Sequence, residues 1–264
     1  MSAGADQRKL TGMPDGAPII LSLIAVGGAG FVTGLTGFGF ALVSVPLLLL
    51  VMDPASTVTT VLVIGQATST VNALTSRRHV ESAMLRWLLP GAIPGLIAGS
   101  YALRWVDPVL LKLVAATLVV AFTAVLALGQ PQLMARRQRR ARTSLIGGAS
   151  GLLATSVGLS GPPIVLLLSA VQPDKDRSRA TLAAYFATTG PFGLAALLLQ
   201  RSTPAHAWAV ALLLVPVALV GRALGSRTHH RTPQRAFRML TLSITLVAGL
   251  GGIASALASL LAHG

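Results

Sequence analysis

The chain has 264 residues, of which 53% are hydrophobic and only 11% charged, with no cysteine and a formal net charge of +14. That balance cannot cover a soluble fold with polar surface, and the lack of cysteine excludes disulfides and thiolate metal sites, so an all-α polytopic membrane protein is expected. The positive charge does not indicate a nucleic-acid partner: fifteen of the 21 Lys and Arg residues fall in four short connections between apolar segments, and no aromatic-interleaved basic domain exists.

In chain order, residues 1–17 mix acidic, basic and glycine residues and read as a short soluble tail that is retained, not cleaved. Segments apolar enough to cross about 30 Å of hydrocarbon follow near 18–51, 87–106, 108–129, 144–171, 180–200, 205–225 and 239–262. A more polar segment at 55–75 brings the expected number to eight. The linker QPQLMARRQRRART at 130–143 separates a first transmembrane repeat, 18–129, from a second, 144–262. Duplication is read from matched spacings: Gly27, Gly30 and Gly37 fall on Gly148, Gly151 and Gly158, while Pro90, Gly95 and Gly99 fall on Pro216, Gly221 and Gly225.

The first segment of each repeat is interrupted in its apolar middle, by GLTGFG at 34–39 and GLSGPP at 158–163. Unwound backbone at membrane depth must be buried in protein or line a wet cavity, and a pair of such breaks points to a transporter's substrate site. The 34 residues of 18–51 would make a helix of about 50 Å, too long for a simple span and suited to two arms. If 18–51 and 144–171 each enter and return on one side, the four basic connections share one face, the cytoplasmic one. The expected topology is therefore two inverted four-segment units, each opening with a glycine-broken or re-entrant segment.

Half-helices beginning after these glycines would aim free backbone N–H groups and the positive ends of their dipoles into the gap, which suits an anion. The expected substrate-binding residues at the breaks are Thr33, Thr36, Gly37, Phe38 and Gly39 in the first half, and Thr155, Ser156, Gly158, Ser160 and Gly161 in the second. From 55–75, Gln66 and Ser69 are expected to line the passage, with Asn72 off the centre of that face; helix-to-helix hydrogen bonding is the competing role. Phe40, Tyr185 and Arg222 are the entrance or gating candidates, against core packing for Phe40 and Tyr185 and snorkelling to the interface for Arg222. No carboxylate lies deep in a segment, so an internal proton relay is not expected.

The runs GGAGFVTGLTGFGFALVSVPLLLL at 27–50, GQATSTVNAL at 65–74, PGAIPGLIAGSYA at 90–102, GGASGLLATSVGLSGPPIVLLL at 147–168, GRALGSR at 221–227 and FRML at 237–240 resemble the sulfite exporter TauE/SafE family. These are transmembrane anion permeases of organosulfur metabolism. The resemblance covers nearly the whole chain and implies a bacterial inner-membrane transporter of sulfite, sulfonates, sulfoacetate or related small anions. Phe38 and Phe40 around Gly39 depart from the glycine-rich pattern, which puts a purely inorganic substrate in doubt.

Secondary or facilitated transport is the expected activity, with an anion channel or a structural or regulatory membrane protein as the alternatives. No phosphate loop or buried base beside Ser156 or Ser160 indicates an enzyme, and no cofactor or metal is expected from the five scattered histidines. Partners are a small anion and membrane lipids; proton coupling remains open through a substrate that itself titrates near neutral pH. Glycine-rich faces suit packing within one chain or in a homo-oligomer.

Overall fold

The structure, a computed structural model, describes residues 17–37, 39–128, 140–171, 174–228, 246–247, 249–254 and 256. Phe38, the tail before residue 17, most of the linker and the FRML run lie outside them. The described chain forms α1 (Ala17–Thr36), α2 (Phe40–Leu48), α3 (Pro54–Ser76), a 3-10 turn (Arg77–His79), α4 (Ser82–Trp105), α5 (Pro108–Leu128), α6 (Arg140–Val157), α7 (Gly161–Val171), α8 (Lys175–Gln200) and α9 (Ala205–Thr228).

Among the described residues, four helices are long and apolar enough to cross a membrane: Pro18–Thr36, Pro108–Val125, Asp176–Gln200 and Ala205–Thr228. At 23 and 24 residues α3 and α4 have the length but fall short of that apolarity, in α3 because of its Ser, Thr, Gln and Asn residues. Large apolar side chains such as Ile19, Leu199 and Leu213 stand exposed, Leu199 at 84%. Water would penalise that surface and lipid does not. The chain is a polytopic, all-α membrane protein.

Acidic residues set where helices begin. Asp53 accepts the Ser56 N–H at 2.9 Å ahead of α3, and Asp174 accepts the N–H groups of Asp176 and Arg177 at 2.9 and 3.3 Å ahead of α8. Asp107 accepts those of Val109 and Leu110 ahead of α5. Capping satisfies donors that a helix start otherwise leaves orphaned. Three carboxylates are thereby placed at helix ends instead of in the interior.

Small residues bring the helices together, as expected where lipid removes the hydrophobic drive for helix association. In one seam α1 lies on α9: a methyl group on Gly30 would strike the Ala218 carbonyl, one on Gly221 the Gly27 carbonyl, and one on Gly225 the Phe31 carbonyl. In the other, α6 lies on α4: Gly151 meets the Ala92 carbonyl, Gly95 the Gly148 carbonyl and Gly99 the Leu152 carbonyl. These contacts match pair by pair under the offsets read from the sequence. Each half lends its first helix to the other half's third segment, α1 to α9 and α6 to α4.

Both seams run parallel, since contacting residue numbers rise together. Gly34 and Gly37 of the first broken segment share one cavity wall with Asn72 and Ser76 near the end of α3. The chain therefore reverses between the end of α1 and the start of α3, with α2 as the returning arm. The same holds for α6 and α7: α6 runs parallel to α4, and Arg104 at the end of α4 donates to the Gln200 carbonyl at the end of α8. His79 just before α4, and Arg179 early in α8, line that same cavity, while α6 runs parallel to α4 away from it. Helices α1 and α6 thus point in opposite senses, and the halves are inverted relative to each other.

Candidate functional site

The reversals occur at Gly37, Gly39 and Gly158, whose φ angles are +82°, +98° and +79°. Residues with a Cβ avoid this left-handed region, at a cost of about 1–2 kcal/mol. A central cavity of about 80 Å³ lies between the two breaks, walled by Gly37 and Gly39 on one side and by Gly158, Ser160 and Gly161 on the other. About 10–15 Å³ holds one water-sized atom, so there is room for several. The volume is well under the roughly 300 Å³ at which sites for drug-sized ligands begin.

The two breaks offer unequal donors. Helix α2 starts at Phe40 without a side-chain cap, and its first internal backbone bond is Val43 N–H to the Gly39 carbonyl at 3.2 Å. Phe40, Ala41 and Leu42, which belong to that first turn, all line the cavity. Helix α7 starts Gly161-Pro162-Pro163, and the prolines carry no N–H, which leaves Gly161 as the amide donor of its first three residues. Among the described residues, no Lys, Arg or His lines this cavity. Negative charge there would be met by amide and hydroxyl dipoles alone.

The sequence-derived residues are distributed as follows. Thr33, Gly37, Gly39, Phe40, Gln66, Ser69, Gly158, Ser160 and Gly161 line the central cavity. Thr36, Thr155 and Ser156 do not, and their hydroxyls donate to carbonyls: Thr36 to Val32 at 2.9 Å, Thr155 to Leu96 at 2.6 Å, and Ser156 to Leu152 at 2.7 Å. Thr33 lines the cavity but donates to Ala29 at 2.8 Å. Ser69 and Ser160 are the hydroxyls in the wall without a side-chain hydrogen bond to another described residue.

Gln66 ties the halves together. Its Nε2 donates to Thr70 Oγ1 at 3.0 Å and to the Ala187 carbonyl of α8 at 3.2 Å. Its Oε1 sits over Gly190, where any side chain would displace it, and has no donor among the described residues. Tyr185 lies away from the cavity, 1% exposed among Met84, Leu88, Ile164 and Leu168, with its hydroxyl donating to the Gly147 carbonyl at 3.4 Å.

A second cavity of about 340 Å³ opens at the arginine-bearing end. Arg222 lines it and donates from Nε to Asn72 Oδ1 at 2.7 Å; Arg179 lines it and donates from Nη2 to the Gly34 carbonyl at 3.4 Å. Gly37 belongs to both cavities, and the Arg179 side chain lies across it. In the sequence Arg179 belongs to the third basic connection, with Lys175 and Arg177, and Asn72 stands off the centre of the polar face of α3. A signal for Arg179 was present: it stands one turn inside α8, where the first half carries Val58 at the matching place.

Two broken hairpins, inverted and meeting at a small dipole-lined cavity in a helical membrane protein, define the class as a membrane permease. The family model for sulfite exporter TauE/SafE matches residues 22–251, and the chain belongs to that family. No curated protein and no solved structure matches it.

Proposed function

We propose that the chain carries small sulfur oxyanions, sulfite or a sulfonate, across the membrane by secondary or facilitated transport through the central cavity. The observation that carries this reading is that the breaks at Gly37 and Gly158 open onto one cavity. The amides of Phe40, Ala41, Leu42 and Gly161 and the hydroxyls of Ser69 and Ser160 are the proposed ligands of the anion's oxygens. A neutral site of this kind binds an anion yet releases it, as a turnover cycle requires. Phe40 narrows the site or meets the apolar part of an organic sulfonate.

Two inverted repeats at 18–129 and 144–262 allow the site to be exposed alternately to each face, with the arginine-bearing end cytoplasmic. The cell membrane is the proposed location. A proton can accompany the anion as part of a protonated substrate, without a relay of carboxylates. Radiotracer flux into proteoliposomes tests this, with sulfite, sulfate, sulfoacetate, taurine and acetate compared with and without a pH gradient. Saturable flux of a sulfur anion supports the reading. A preference for acetate, or conductance without saturation, replaces it with a carboxylate carrier or a channel.

A further inference from the structure

The cavity at the arginine-bearing end has a composition opposite to that of the central one. Two guanidiniums from different helices, Arg179 of α8 and Arg222 of α9, face one space of about 340 Å³. Among the described residues, the titratable groups that share it are Asp176, also on α8, and His79 of the 3-10 turn. One carboxylate against two guanidiniums leaves an excess of positive charge. Like charges held across a common cavity repel, and an anion between them relieves that repulsion.

The geometry is held from several sides. Asn72 of α3 accepts the Nε–H of Arg222, which fixes the plane of that guanidinium, and the Arg222 Nη groups have no acceptor among the described residues. The Arg179 side chain is seated over Gly37, where a side chain would collide with its Nε and Cγ, and it reaches the Gly34 carbonyl. Gly34 itself packs against the backbone of Arg222. The two arginines are therefore positioned on a shared support. Planar guanidiniums in such an arrangement match the paired oxygens of an oxyanion.

We propose that this vestibule is a second anion site, separate from the central cavity, in which Arg179 and Arg222 capture an oxyanion and hold it against Gly37. In naming an oxyanion it rests on the permease reading above; its occupancy, however, is readable without transport. Because Gly37 walls both cavities, an anion held there is one residue from the central site, and Arg179 lies over the passage between them. The site concentrates anions at one mouth. A soluble oxyanion and an anionic lipid headgroup share the chemistry that would fill it.

The chain's lack of cysteine supplies the test, since Ser226, exposed and lining the vestibule, can be made the single thiol. The full-length Ser226→Cys protein in phosphatidylcholine nanodiscs is labelled with an anionic or a cationic thiosulfonate reagent, with and without sulfate. Labelling by the anionic reagent is expected to exceed that by the cationic one by about tenfold or more. Sulfate should protect, and Arg179→Gln or Arg222→Gln should abolish both the bias and the protection. Nanodiscs containing phosphatidylglycerol separate the sources: protection there without sulfate assigns the site to a headgroup, and protection by sulfate alone to a soluble anion. Equal labelling by both reagents, or no protection by either source with both arginines intact, overturns the proposal even if an arginine variant fails to fold. If transport of sulfur anions fails while protection stands, the central-site reading falls and the vestibule remains.

Discussion

Gly37 and Gly158 stand 121 positions apart, share a left-handed backbone with φ of +82° and +79°, and line the same central cavity. The relationship brings two interrupted helices, pointing in opposite senses, onto one cavity. Its consequences can be tested residue by residue.

Replacement of Gly158 separates backbone strain from loss of space. Gly158→Ala is expected to cost about 1–2 kcal/mol from its left-handed φ, with the added methyl 3.1 Å from Val45 Cγ2. Asn visits this region more readily, so its conformational strain should be smaller. Gly161→Ala, where a methyl meets nothing within 4 Å, should leave stability unchanged. Thermal unfolding midpoints in one detergent check the order Gly161→Ala above Gly158→Ala.

The two helix seams should respond alike. Gly95→Ala would press a methyl on the Gly148 carbonyl, and Gly221→Ala would do the same to the Gly27 carbonyl. Overpacking of this kind costs about 1–3 kcal/mol, so each variant should lower the unfolding midpoint by a similar amount. A large drop for one and none for the other would mean that the halves are not equivalent in packing.

Thr155 is expected to matter to stability more than to substrate affinity. Its hydroxyl donates to the Leu96 carbonyl at 2.6 Å and does not line the cavity. Thr155→Val should lose about 1 kcal/mol and leave the KM for sulfite within about twofold, a change of only a few tenths of a kcal/mol in binding. Concentration-dependent flux beside a melting curve distinguishes the two effects.

Asn72 offers a graded change in the vestibule. Asn72→Asp places a carboxylate where Oδ1 now accepts from Arg222 at 2.7 Å. Partial neutralisation should raise the KM for sulfite by about tenfold with little effect on maximal rate. Flux measured at low and high ionic strength should show the difference narrowing as salt screens the field.

Much of the fold was legible because its determinants are local. The positions of Gly37 and Gly158 marked the breaks, and Gly95 and Gly99, matched in spacing to Gly221 and Gly225 and read as a sign of duplication, fall in two like seams. Which helix each seam joins was not legible, since a glycine stripe does not name its partner. Hydroxyl roles were harder still: Thr36, Thr155 and Ser156 have the chemistry of anion donors, but whether a hydroxyl faces a cavity or bonds a carbonyl depends on rotamer and neighbour. Arg179 was hidden by its company, because a basic cluster looks the same whether its members face solvent or one turns inward.

The most direct test uses two glycines that both have free space around them. A Cβ added at Gly65 or at Gly28 meets nothing within 4 Å, yet Gly65 lines the central cavity and Gly28 is exposed on α1. Both Gly65→Leu and Gly28→Leu should fold, and sulfite flux into proteoliposomes of each should be compared with the parent protein. The expected result is flux abolished in Gly65→Leu, whose side chain fills the cavity, and retained in Gly28→Leu. Equal flux from two well-folded variants would contradict transport through the cavity between the breaks.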